Sequence, residues 1–187
     1  KDQAQVRSTA EALAQMDEAG DLAQAFEWYS KAAGKGHVGA QYYLGLMHAR
    51  GEYVRQDYFR ASEWYRLAAN LGRHAGAQFA LGDLYFKGRG VPNGYAEALA
   101  WDRQAAGQGH PVAQSRLGVM YAEGWAGEFD AIRAYKWFTL ALRGRDRISA
   151  FDATLDPSAG LGHVVGKMNE NQIKRAKEAV DNWRPKR

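Results

Sequence analysis

The sequence contains no cysteine. Disulfides, thiolate metal sites and cysteine nucleophiles are thereby excluded, while the redox compartment stays open. No run approaches 18 apolar residues, so no segment reads as a membrane-spanning helix. Nor is charge of one sign dominant. The net charge is +4, and residues 1–142 hold fifteen basic and fifteen acidic side chains. Residues 143–187 hold ten basic and six acidic, so the tail carries the whole excess. A solvated terminal helix explains that excess as well as an acidic partner does. No nucleic-acid-binding module accompanies the charge, and none is expected. The chain begins at Lys1 rather than Met, which fits either a trimmed chain or an exported, processed one.

What is present is enough apolar and aromatic material for a core. Hydrophobic residues make up 46% and aromatic residues 12%, which excludes a disordered chain. That material is periodic. Trp28, Trp64, Trp101 and Trp137 fall at steps of 36, 37 and 36. Ala25, Ala61, Ala98 and Ala134 keep those steps, and so do Ala32, Ala68, Ala105 and Ala141. A Leu-Gly pair recurs at Leu44-Gly45, Leu81-Gly82 and Leu117-Gly118. Self-similarity at a fixed period of this size marks a solenoid.

The clearest unit is Ala77 to Gly109. Ala77, Leu81, Leu84 and Tyr85 form one apolar stripe at i, i+4, i+7 and i+8, so the first half predicts a helix. Gly82 inside that helix costs about 1 kcal/mol relative to Ala, so its recurrence at Gly45 and Gly118 predicts close backbone packing. Tyr95, Ala98, Leu99, Trp101 and Ala105 predict a second helix in which Trp101 is buried between hairpins. Between the two, KGRGVPNG reads as a turn. Asn93 is the expected N-cap of the second helix, with Asp57 and Asp130 near that place in the other units.

This pattern resembles the Sel1-like repeat family, a relative of the tetratricopeptide repeats. The matching residues are A-x-x-x-LG-x-(L/M)-(Y/H), G-x-x-V and A-x-x-W-(Y/D/F)-x-x-A, over Ala40 to Ala69, Ala77 to Ala106 and, less well, Ala113 to Leu142. The third unit departs in Gly124-Trp125-Ala126-Gly127, where a valine equivalent to Val54 and Val91 is missing. The expected fold is all-α: a right-handed α/α superhelix of Sel1-like and TPR-like hairpins with a C-terminal capping helix. One domain, 1–187, would comprise a TPR-like hairpin at 4–36, repeats at 37–72, 73–109 and 110–144, and a loop with a capping helix at 145–187. Within the first hairpin a helix is expected over residues 4–18, with Ala12-Leu13 in the Leu-Gly place. A second helix should run over 22–33, with Asp21 and Gln24 making a capping-box-like start. Residues 156–162 read as loop. Asn169 with Gln172 should open the last helix, with Ile173, Ala176, Val180 and Trp183 on one face.

Motifs for chemistry fail on context. Gly34-x-Gly36-x-x-Gly39 matches the dinucleotide fingerprint in letters, but residues 28–33 before it read as helix rather than strand. Gly36 instead recurs as Gly72 and Gly109 at the repeat junctions. Gly166-Lys167 lacks the rest of a phosphate loop. His37, His48, His74, His110 and His163 form no metal-ligand pair or box. His37 and His110 share a repeat position at a helix entry, and His48 stands where Tyr85 and Tyr121 stand. No nucleophile elbow is present. No enzyme activity, cofactor or metal is expected.

The remaining candidate is the inner face, lined by the first helix of each pair. Its expected partner-binding residues are Tyr42, Arg50, Phe79, Asp83, Phe86, Lys87, Ser115 and Glu123. Mixed charge with aromatic side chains suits a protein or peptide ligand. The competing reading is that Tyr42 and Phe79 only pack between adjacent first helices. The resemblance implies a non-catalytic adaptor or scaffold, in bacteria often exported to the periplasm, with the cytoplasm as the alternative compartment. The sequence leaves the oligomeric state open, a monomer being the expectation. An immunity or inhibitor protein against a secreted toxin is the alternative function.

Overall fold

The computed structural model describes residues 21–125, 127–152 and 155–185. The helix expected over residues 4–18, with Ala12 and Leu13, lies outside them. Helix α1 (Asp21–Gly34) precedes three helical hairpins: α2 (Val38–Arg50) with α3 (Tyr58–Asn70), α4 (Ala75–Lys87) with α5 (Tyr95–Gly107), and α6 (Pro111–Ala122) with α7 (Ala131–Ala141). A 3-10 turn at Leu142–Gly144 leads into α8 (Arg145–Phe151), α9 (Pro157–Val165) and α10 (Glu170–Asp181). From α1 to α7 each helix packs on its sequence neighbour within and between hairpins, which is the stacking of an α-solenoid, while α9 and α10 pack back on α7.

The hairpins close tightly because glycine removes a side chain where it matters. A methyl group at Gly45 would overlap the Tyr65 ring, and one at Gly118 would come within 2.5 Å of the Phe138 ring. Tyr65 and Phe138 are both 2% exposed. The buried column in the three hairpins is therefore the residue after Trp64, Trp101 and Trp137, not the tryptophan itself. Trp64, Trp101 and Trp137 are only partly buried, and Trp28 is 46% exposed, so the burial expected for Trp101 is corrected. In the middle hairpin Asp102 occupies this column at 0% exposure.

Polar side chains at repeated positions tie one unit to the next. Nδ1 of His37, His74 and His110 accepts from the backbone N–H of Ala40, Ala77 and Ala113 at 3.2, 3.1 and 3.3 Å, capping α2, α4 and α6. The amides of Gln41, Gln78 and Gln114 donate to the carbonyls of Ala33, Ala69 and Ala106, which end the preceding helix. Before each histidine the chain turns through a left-handed residue: Gly36, Arg73 and Gly109, with φ of 83°, 48° and 93°. Arg73, not Gly72, is thus the junction equivalent of the two glycines. Gly72 instead clears space for Val38.

Other local expectations are also corrected. Helix α1 includes Asp21, and the capping start expected there borders residues outside the described ones. The N-cap of α5 is Gly94, which offers no side chain, while Asp57 and Asp130 cap α3 and α7 as expected. Asn93 points the other way, donating to the Phe86 carbonyl at 2.8 Å and closing the end of α4. Residues 157–162 are helix, not loop. Pro157 takes the first helical position, where its missing N–H costs nothing, and Asp156 caps the turn through Ser158. Gly160 of α9 then lies on the Phe138 ring, so this helix seals the last hairpin. Helix α10 opens with the expected Asn169–Gln172 capping box and buries Ala176 and Val180 against α7.

Candidate partner-binding cleft

The first helices of the three hairpins and α8 converge on a cleft of about 430 Å³. Helix α2 contributes Tyr42, Leu46, Ala49 and Arg50, and α4 contributes Phe79, Ala80, Asp83 and Leu84. His110, Pro111 and Val112 come from the start of α6, and Arg147 and Phe151 from α8. The repeat places these side chains together because first-helix positions four residues apart recur on one face in every unit. Helix α8 lies outside the repeat register, and periodicity gave no signal for its share of the cleft.

The expected residues divide. Tyr42, Arg50, Phe79 and Asp83 line the cleft, whereas Phe86, Lys87, Ser115 and Glu123 do not. Phe79, 6% exposed, forms floor rather than a projecting anchor. Its ring stacks on His110 with centroids 4.8 Å apart, meets Phe151 edge-on at 5.4 Å, and lies 4.3 Å from the Arg116 guanidinium. Packing between adjacent first helices is therefore its main role. Tyr42 does both, packing on His74 at 4.5 Å while remaining partly exposed at the cleft. Ser115 is buried, and Phe86 clusters with Tyr95 and Trp125. Trp125 is 48% exposed, as its place in the departing loop predicts.

Electrostatics inside the cleft are set by an ion-pair group beneath the floor. Arg116 donates to both Asp102 oxygens at 2.6 Å, to Asp83 Oδ1 at 2.7 Å and to the Phe79 carbonyl at 3.3 Å. Lys87 meets the other Asp83 oxygen at 2.8 Å. Burial pushes the Asp102 carboxyl up and Arg116 pulls it back. Burial also opposes the Arg116 charge, but Asp102 and then Asp83 outweigh it and raise the guanidinium's pKa. Burial, then Arg116 and Arg147, lowers His110 to about 4. Its ring is neutral at pH 7, and because Nδ1 accepts from the backbone, Nε2 carries the proton. Burial, then Tyr42, raises the Tyr65 hydroxyl, so it too is a neutral donor.

Nothing in this arrangement sets a base beside a nucleophile. Among the described residues no group of three or more His, Asp or Glu could hold a metal ion. The family sequence pattern described as the Sel1 repeat matches residues 16–37, 38–72, 75–110 and 111–146. The chain belongs to the Sel1 repeat family. Its first hairpin, expected to be of tetratricopeptide type, is matched by the Sel1 repeat over its second half. Sel1 repeat proteins are generally protein-interaction modules and typically non-catalytic.

Two solved structures resemble this Sel1 repeat chain. A Sel1 repeat protein from Oxalobacter formigenes is 28% identical, with a TM-score of 0.65 over 84% of this chain and 63% of that one. A protective antigen present in uropathogenic Escherichia coli strains, displaying an SLR fold, is 27% identical. Its TM-score is 0.56, over 84% of this chain and 40% of that one. The chain thus spans less than two thirds of the length of either.

Proposed function

We propose that this Sel1 repeat chain acts without catalysis, as an adaptor that holds a segment of another protein in the inner cleft. The observation that carries the proposal is the convergence of Tyr42, Arg50, Phe79 and Phe151 from α2, α4 and α8 on one open depression. Aromatic and arginine side chains around a partly apolar floor are the composition of binding hot spots. Their neighbours are fixed by interlocking caps and ion pairs, so little ordering remains to be done on binding.

The test is site-specific photo-crosslinking. A photoreactive amino acid is placed at Ala80, on the cleft wall, or at Ala100, exposed on α5 outside it. The proposal expects a partner protein, identified by mass spectrometry, to be captured from position 80 and not from position 100. Capture from position 100 alone would place the partner elsewhere and overturn the reading.

A further inference from the structure

The charges around the cleft do not balance. Among the described residues Asp83 is the only acidic one that lines it, and both its carboxylate oxygens are already engaged, by Arg116 and by Lys87. Three arginines line it as well: Arg50, Arg89 and Arg147. Arg50 has an exposed partner in Glu52 at 3.3 Å. Among the described residues Arg89 and Arg147 form no ion pair with a carboxylate.

Arg89 is nevertheless held in place. Its guanidinium lies 5.4 Å from the Tyr58 ring centroid and donates to the Tyr58 hydroxyl at 3.4 Å. A planar, delocalised cation stacked on an aromatic ring keeps donors to spare for a carboxylate. Arg147 approaches from α8, close enough for its charge to act on His110. The apolar floor of the same cleft includes Phe79 and Val112.

We infer that the segment held in the cleft is an acidic peptide, whose aspartate or glutamate carboxylates meet Arg89 and Arg147 while an apolar side chain between them rests on the Phe79–Val112 floor. The inference rests on the reading of the cleft as the partner site. Its grounds are charge complementarity: among the described residues, two wall arginines without a carboxylate partner and a lining carboxylate, Asp83, already neutralised. Complementary charge sets partner choice and association rate more than raw affinity, so the signature is selectivity.

The experiment pans a phage-displayed library of random peptides against the immobilised whole chain, then measures synthetic versions of the enriched sequences by fluorescence anisotropy. Enriched peptides are expected to carry Asp or Glu on either side of an apolar residue. Their affinity should fall about tenfold or more in Arg89→Ala with Arg147→Ala, and be largely restored by Arg89→Lys with Arg147→Lys. Raising the salt concentration should weaken them too, because both arginines are exposed. Ala80→Trp, which fills the cleft, should abolish binding.

Enriched peptides that are neutral or basic, yet still lost in Ala80→Trp, would overturn the acidic inference and leave the cleft reading standing. Peptides indifferent to Ala80→Trp would overturn both. A short oligothymidine that binds more tightly than any peptide, and is lost in the double arginine variant, would make the occupant a nucleic acid and also overturn the inference. Absence of any acidic enrichment counts against it equally.

Discussion

Arg116 and Asp102 face each other through two hydrogen bonds of 2.6 Å, at the point in the middle hairpin where its neighbours bury an aromatic ring. Tyr65 and Phe138 fill that place above Gly45 and Gly118. Above Gly82 the volume is taken by a carboxylate and the guanidinium that neutralises it. Such a pair gains its Coulomb energy against a large desolvation cost, so its two halves are worth far more together than apart.

Removing one half should be severe. Asp102→Ala leaves Arg116 buried without its main partner and should cost about 3–5 kcal/mol in urea unfolding. Restoring the pattern of the neighbouring units, with Asp102→Phe and Arg116→Ala together, should recover most of that loss and come out neutral or more stable than the parent. A double variant as unstable as Asp102→Ala would show that the ion pair shapes the hairpin in a way a ring cannot replace.

The hairpin glycines are expected to be sensitive for a steric reason alone. Gly118→Ala places a methyl group against the buried Phe138 ring and should cost about 1–3 kcal/mol. Gly34→Ala, with nothing within 4 Å of its added carbon, is the matched control and should be neutral or stabilising by about 0.4–1 kcal/mol. Equal effects in thermal denaturation would remove the close-approach explanation.

A pH dependence follows from the histidine cap of α6. His110 is lowered from its ordinary value to about 4 by burial, then by Arg116 and Arg147. Below about pH 6.5 the unfolded chain binds a proton there that the folded chain refuses, so stability falls with pH. The loss runs at most about 1.4 kcal/mol per pH unit and ends near pH 4, where the folded ring also titrates. Above pH 6.5 both states are neutral and this contribution is complete. Asn at position 110 keeps a cap acceptor without titrating. His110→Asn should therefore flatten the fall between pH 6.5 and 4.5, as measured by urea unfolding at each pH. An unchanged slope would mean that other groups carry it.

The register was legible in the sequence because glycine and alanine recur wherever helices approach closely. Which residue faces inward was not. Trp101 marks the period most visibly, yet its ring lies at the edge, and the neighbouring position carries the burial. Periodicity fixes spacing but leaves the rotation of a helix open by one residue. The Arg116–Asp102 pair was hidden for a related reason: it replaces a ring in one unit only, so it breaks the pattern that self-comparison detects. The shared place of His37 and His110 at a helix entry was legible, but His74 and the ladder of Gln41, Gln78 and Gln114, which keep the same steps, could have been found only by aligning polar positions as well as apolar ones.

The site was half legible. Tyr42, Arg50, Phe79 and Asp83 come together because they share a helix face across two units. Phe86 and Lys87 lie one turn further on, where α4 ends, and Ser115 is covered by packing. Arg147 and Phe151 were missed because α8 belongs to the closing segment, which no internal repeat predicts.

The most direct test of the central claim, that the inner cleft holds the partner, is calorimetric. The partner captured by crosslinking is titrated into the unmodified chain, into Ala80→Trp, which fills the cleft, and into Ala100→Trp on the outer surface of α5. The account predicts a loss of more than tenfold in affinity for Ala80→Trp alone, about 1.4 kcal/mol or more, with the melting temperatures of all three chains alike. Equal affinity for all three chains would contradict it.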